Sequence, residues 1–211
     1  MGIIIRNIGN LNNLEGFLHR EEIDIDHFNI AYIGIGQAGG KIASDISRFG
    51  YYGVYINTCE QDLTDIEEVL KSIYDTNDDN YKIIRLKGYD GASKDRSTGL
   101  KAIKDNKELI QKELLTDKKL HDADFVWIVC SLGGGTGCGA VSTIAQIVNS
   151  FIRPDKRIRV KRDKGGNIIN YGKSTTGIIA AIPDDNSSPK MKLNAAEALE
   201  ELKVLQSKNI I

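Results

Sequence analysis

The chain has 211 residues, of which 41% are apolar and 27% charged, with a formal net charge of −1 at pH 7. That length suits one large domain, and the charge balance gives no overall attraction to nucleic acid or anionic membrane. No apolar run approaches the roughly 20 residues of a membrane span, and the N-terminus is too polar for a signal peptide.

Residues 1–27 read as an N-terminal extension, with a short helix at about residues 11–20 from the spacing of Leu11, Leu14, Phe17 and Leu18. The domain proper is expected over residues 28–211. Residues 28–35 read as a first core strand, followed by Gly36-Gln37-Ala38-Gly39-Gly40-Lys41 and then a helix through Ile42, Ala43, Ile46 and Phe49. From Gly34 this satisfies G-x-G-x-x-G, the dinucleotide fingerprint. A dinucleotide site also wants an acidic residue at the end of the second strand. Here Gly53-Val54-Tyr55-Ile56 ends in the neutral pair Asn57-Thr58, which counts against NAD.

Thr58 with Gln61 reads as a capping box for a helix through Leu63, Ile66, Val69, Leu70 and Ile73. Residues 81–86 form a strand. The loop 87–99 holds three glycines. Its Gly91-Ala92 backbone is placed to reach a terminal phosphate, with Lys94 or Arg96 nearby; a solvated loop is the other reading of those charges. One amphipathic helix is expected over 100–115, and residues 125–130 form a buried strand.

Then comes Ser131-Leu132-Gly133-Gly134-Gly135-Thr136-Gly137-Cys138-Gly139, which opens into a helix from Ala140. Glycines without Cβ atoms let a backbone curl its N–H groups around an anion, and the following helix adds its positive dipole end. A phosphate chain is the expected occupant, with the Thr136 hydroxyl as a further donor. Residues 155–174 read as a β-hairpin insertion with a basic face, taken as a solvated edge in place of a nucleic-acid surface. Residues 175–182 form a further buried strand. In the turn beyond it, Asp184 or Asp185 either holds ribose hydroxyls or a metal-bound water, or serves as a helix cap. The last helix, about 190–206, is expected to bury Leu193, Ala196, Leu199, Leu202 and Leu205. Residues 207–211 look like the start of another strand.

Strands and helices alternate, so the fold class is α/β, a doubly wound parallel sheet of Rossmann-like kind. No P-loop, Gly-x-Ser-x-Gly elbow, catalytic residue or metal-ligand cluster is apparent; His19, His27 and His121 show no triad spacing. Cys59, Cys130 and Cys138 have no metal spacing either, and reduced thiols in a cytoplasmic protein are expected.

Gly133-Gly134-Gly135-Thr136-Gly137-Cys138-Gly139 resembles the signature loop of the tubulin/FtsZ family, Gly-Gly-Gly-Thr-Gly-Ser/Thr-Gly, with Cys138 in the Ser/Thr place. Gly36-Gln37-Ala38-Gly39-Gly40, Asn57-Thr58 and Gly91-Ala92 resemble three further loops of that family, in the right order. Phe125-Val126-Trp127-Ile128, Pro183-x-Asp185 and Asn194-Ala195 are similar to its plasmid and phage branch, TubZ. The resemblance implies binding of GTP or GDP with Mg²⁺ by the loop residues named. It implies head-to-tail stacking with itself or with full-length subunits, and plasmid or phage DNA segregation through a separate DNA-bound adaptor. It places the hydrolytic carboxylates, guanine contacts, central helix and second domain beyond Ile211. On that expectation the chain hydrolyses little alone and caps filaments. The alternatives are an NAD-dependent oxidoreductase and a regulatory or interaction module. The Cys138 exchange is expected to cost one hydrogen bond to a phosphate oxygen, roughly 0.5–1.5 kcal/mol.

Overall fold

The structure is a computed structural model that describes residues 3–4, 29–74, 79–152, 157–158, 161–162, 164–165, 168–170 and 173–211. Five parallel strands build its centre: β2 (Ile30–Ile35), β3 (Tyr52–Asn57), β4 (Tyr81–Arg85), β5 (Phe125–Ser131) and β10 (Thr176–Ala181). The short β1 (Ile3–Ile4) adds an antiparallel edge, giving the order β1-β10-β5-β2-β3-β4.

The strands read as continuous apolar runs because both sheet faces are covered. Alternate residues take alternate faces. Tyr32, Tyr55 and Val129 pack with Ala43 of α1 (Gly36–Ser47) and with Leu63, Ile66 and Leu70 of α2 (Glu60–Ile73). Ala31, Ile33, Ile35, Val54 and Ile56 join the other core. That core takes in α3 (Arg96–Asp105), α4 (Lys107–Leu115), α6 (Thr136–Ile147) and α7 (Pro189–Ser207). The doubly wound parallel α/β sheet expected from the sequence is therefore present.

Four local expectations are corrected. The helix expected over 100–115 is two helices meeting at Asn106, whose side chain accepts from the Lys87 N–H at 2.8 Å and donates to the Lys87 carbonyl at 3.0 Å. The buried amide thus fastens the loop after β4 to the break, and a short helix, α5 (Lys118–Asp122), follows. The Thr58 capping box does not form. The N-cap of α2 is Cys59 in place of Thr58, with no side-chain cap bond, and the Thr58 hydroxyl bonds Thr136 instead. The buried face of α7 is Asn194, Ala195, Ala198, Leu202 and Leu205, while Leu193 is 60% exposed. Residues 208–211 form no strand. Asn209 (φ 52) ends α7 in a Schellman motif, with Ile210 N–H on the Leu205 carbonyl and Asn209 N–H on that of Gln206, both 2.9 Å.

β6 (Arg157–Ile158) pairs antiparallel with β9 (Lys173–Ser174), and β7 (Lys161–Arg162) with β8 (Ile168–Asn170). Residues 164–165 form a turn; the remainder of the stretch read as a hairpin, and the helix read at 11–20, lie outside the described residues. Among the described residues no helix is long and apolar enough to cross a membrane.

Candidate nucleotide-binding site

The chain builds outward from β2 in two directions, to β3 and β4 on one side and to β5 and β10 on the other. The gap between the carboxyl ends of β2 and β5 is a topological switch point, where open α/β sheets bind ligands. Both glycine segments meet there. A Cβ on Gly36 (φ +70) would lie 3.1 Å from the Gly137 nitrogen, and one on Gly137 would lie 2.9 Å from the Ile35 carbonyl oxygen. Only glycine permits that approach.

Most of what reads as loop is helix. Gln37, Ala38, Gly39, Gly40 and Lys41 are in the first turns of α1, and Thr136, Gly137 and Cys138 open α6. The turn proper is residues 132–135. Helices α3, α5 and α7 are capped by Asp95, Asp117 and Ser188 side chains. At the switch point, α1 and α6 have no side-chain cap and no acidic residue in the first turn. In α6 the Gly139 N–H donates to the Gly135 carbonyl at 2.9 Å; the earlier N–H groups of a first turn have no partner inside a helix. Two positive dipole ends thus stand side by side with their donors open.

The Thr58 and Thr136 hydroxyls share a 2.8 Å hydrogen bond across the crevice floor, and both residues are buried. Asn57 supports this turn, its Oδ1 accepting from the Thr58 N–H at 2.8 Å. Its amide donates to Asp62 at 3.0 Å, and Gln37 donates to the other Asp62 oxygen at 2.9 Å. Asp62 therefore joins the first glycine segment to the end of β3. The second core strand thus lacks the free carboxylate that a nicotinamide dinucleotide site wants at its end.

Residues 88–95 close over the crevice from the β4 side. Gly88, Gly91, Ser93 and Lys94 all have positive φ. A Cβ on Gly135 would lie 2.6 Å from the Ala92 Cβ and 2.8 Å from the Asp95 carbonyl oxygen, so Gly91-Ala92 is held against the glycine turn. The Ser97 and Thr98 hydroxyls and the Thr98 N–H hold the Asp95 carboxyl well below the usual carboxylate range.

Asp184 and Asp185 are exposed in the β10–α7 turn. Pro183 of that turn and Met191 of α7 lie against Gly133, where an added Cβ would meet them at 2.8 and 3.0 Å. The Ser187 hydroxyl, 2.7 Å from Asp184, holds that carboxyl below its ordinary value. Lys41 is exposed on α1.

Two readings change. The Cys138 side chain does not face the crevice: it is fully buried and its Sγ donates to the Asn194 carbonyl at 3.1 Å. Its backbone N–H lies in the first turn of α6. Burial pushes its thiol up to about 11. Arg96 does not sit as a phosphate ligand either. It pairs with Glu201 and with Glu197, the latter at 3.3 Å, and the Ser142 hydroxyl donates to the other Glu201 oxygen at 2.6 Å. Burial raises the Glu201 carboxyl, but the Ser142 and Arg96 bonds outweigh it and leave the group below its ordinary value.

Sequence reasoning did not assign the bridging role of Asp62 or the roles of Asn194 and Glu201. Asn194 lies off the apolar stripe that periodicity draws along the helix, and the partners of Glu201 are distant in sequence, so neither role leaves a local pattern.

Residues 29–160 match the model of the Tubulin/FtsZ family, GTPase domain. The chain is 32% identical over 120 residues to the tubulin-like protein TubZ of Bacillus cereus, covering 52% of this chain and 26% of that protein. It is 28% identical over 178 residues to the tubulin-like protein CetZ of Pyrococcus abyssi, covering 83% of this chain and 42% of that one. The chain thus spans less than half the length of these relatives. Among solved structures, TubZ of Clostridium botulinum phage c-st superimposes with a TM-score of 0.59 at 20% identity, covering 85% of this chain and 48% of that one. The crevice, its glycine segments and the match over most of the sheet lead to one assignment: the chain belongs to the tubulin/FtsZ family, in its GTPase domain.

Proposed function

We propose that the chain binds GTP with Mg²⁺ at the β2–β5 switch point, as part of a filament-forming GTPase of the TubZ kind. The observation that carries this is the pair of uncapped helix N-termini, α1 and α6, set back to back over the Thr58–Thr136 hydroxyl pair. Backbone N–H groups of residues 134–138 and 36–40 hold the phosphates. The Thr58 and Thr136 hydroxyls turn outward to donate. Gly91-Ala92 covers the terminal phosphate, and Asp184 or Asp185 meets the ribose.

Mg²⁺ fits as an ion carried by the nucleotide. Among the described residues no three His, Cys or carboxylate side chains gather as a metal cage. Mg²⁺ binds mainly through phosphates and waters, with one or two protein oxygens. The Thr58 and Thr136 hydroxyls are the oxygens at hand, and the ion supplies charge neutralisation there.

Within the family, Pro183, Asp185, Asn194 and Ala195 favour the TubZ branch. From that follow head-to-tail assembly with like subunits, a DNA-bound adaptor as partner, a cytoplasmic location, and plasmid or phage DNA segregation. Asp62 is held by Gln37 and Asn57, and Asp95 by Ser97 and Thr98. The family resemblance puts the carboxylates for hydrolysis on a neighbouring subunit.

Calorimetric titration with GTP, ATP and NAD⁺, each with Mg²⁺, tests the reading. Saturable binding of GTP alone supports it. Preference for NAD⁺ refutes it.

A further inference from the structure

Asn194, Glu197 and Glu201 stand on the edge of α7 that touches both phosphate loops. The Asn194 amide reaches the carbonyls of Lys94 at 3.0 Å and of Gly133 and Gly134 at 3.4 Å each. A trans peptide points its C=O and N–H in opposite directions. Drawing the Gly133 and Gly134 carbonyls toward α7 therefore turns the N–H groups of Gly134 and Gly135 away from it, toward the crevice. The same amide fixes Lys94 in a left-handed conformation that a non-glycine residue leaves when unsupported. Two residues on, Arg96 anchors this loop to Glu197 and Glu201, and Glu201 also takes the Ser142 hydroxyl of α6.

We propose that α7 is the clamp that makes the site discriminate triphosphate from diphosphate, with Asn194 and the Arg96–Glu201 pair as positioning residues holding residues 91–95 against Gly135. This rests on the GTP reading above. The residues touch no nucleotide; they act by holding the Gly133 and Gly134 carbonyls, and so aiming the Gly134 and Gly135 N–H groups, and by holding the loop at residues 91–95. A diphosphate needs chiefly the glycine turn, whereas the terminal phosphate also needs Gly91-Ala92 in place.

The test is calorimetric titration of the 211-residue chain with GTP and with GDP, in Mg²⁺, for wild type, Asn194→Ala and Arg96→Lys. Arg96→Lys keeps the charge and most of the packing, and it carries the test if Asn194→Ala fails to fold. The expected result is a fall of about tenfold in the GTP preference over GDP in each variant, equal to about 1.4 kcal/mol. A lower melting temperature with an unchanged GTP to GDP ratio makes these contacts merely structural and overturns the inference, while the GTP reading stands. Wild type that binds neither nucleotide overturns both.

Discussion

Replacing Thr136 with valine keeps the shape of the side chain and removes its hydroxyl. In the free chain the hydroxyl lies 2.8 Å from that of Thr58, with both residues buried. The remaining contact of the Thr58 hydroxyl, to Asn57 Oδ1, is long at 3.5 Å. Thr136→Val therefore strands a buried hydroxyl, at a cost of about 1–3 kcal/mol. For a chain of this size that lowers the melting temperature by about 2–4 °C per kcal/mol. In the bound state the variant also loses a hydrogen bond to a charged phosphate oxygen, worth about 1.5–3 kcal/mol, or roughly ten- to a hundredfold in Kd. The double variant Thr58→Val/Thr136→Val separates the two effects. With both partners apolar the stability returns most of the way, because replacing both ends of a hydrogen bond is nearly neutral. GTP affinity stays low. Differential scanning fluorimetry and calorimetry read the two quantities on the same samples. If the double variant regains wild-type affinity along with its stability, these hydroxyls do not face the nucleotide and the reasoning fails.

Other consequences are equally direct. A Cβ on Gly39 would run into the Val129 carbonyl oxygen and lie 2.9 Å from the Cys130 Cα, so Gly39→Ala is expected to destabilise by about 3 kcal/mol in urea unfolding. Gly91→Ala meets nothing within 4 Å and strains only its φ of +85, so it should cost about 1–2 kcal/mol; equal costs would contradict the packing of α1 on β5. Burial raises the Cys130 and Cys138 thiols, whereas Cys59 is half-buried. A thiol reagent near neutral pH should therefore titrate one cysteine in the native chain and all three after unfolding. Glu201 has a folded pKa below its ordinary 4.5, so the unfolded chain binds the extra proton between the two values. Its contribution is complete above the ordinary value and disappears as pH falls through the folded one. Glu201→Gln should flatten the acid limb of urea midpoints measured against pH, and an unchanged limb would argue against the Arg96–Ser142 surroundings.

The sheet was legible because its strands are buried on both faces and so read as unbroken apolar runs, each followed by helical spacing. The crevice was legible because close backbone approach at Gly36, Gly135 and Gly137 admits little but glycine. What periodicity misread was α7. An apolar stripe through Leu193 and Ala196 was expected, but the helix rotates to bring polar Asn194 under the glycine turn. Hydrophobic patterning assigns a buried amide to the wrong face, and only its three carbonyl partners explain its burial. Arg96 misled in a similar way. A basic residue in a phosphate loop suggests a phosphate ligand, whereas its Glu201 and Glu197 partners come from a helix about 100 residues on. The break at Asn106 was hidden because asparagine is tolerated within helices, and its bonds to Lys87 are made across a loop.

The central claim is that the uncapped ends of α1 and α6 hold a guanine nucleotide. Amide nuclear magnetic resonance of the isotopically labelled chain, titrated with GTP and Mg²⁺, tests it residue by residue. The largest shifts are expected at Gly36, Gly134, Gly135, Thr136, Gly137 and Ala92, saturating together. An unchanged spectrum, or shifts confined to residues away from the β2–β5 crevice, would contradict it.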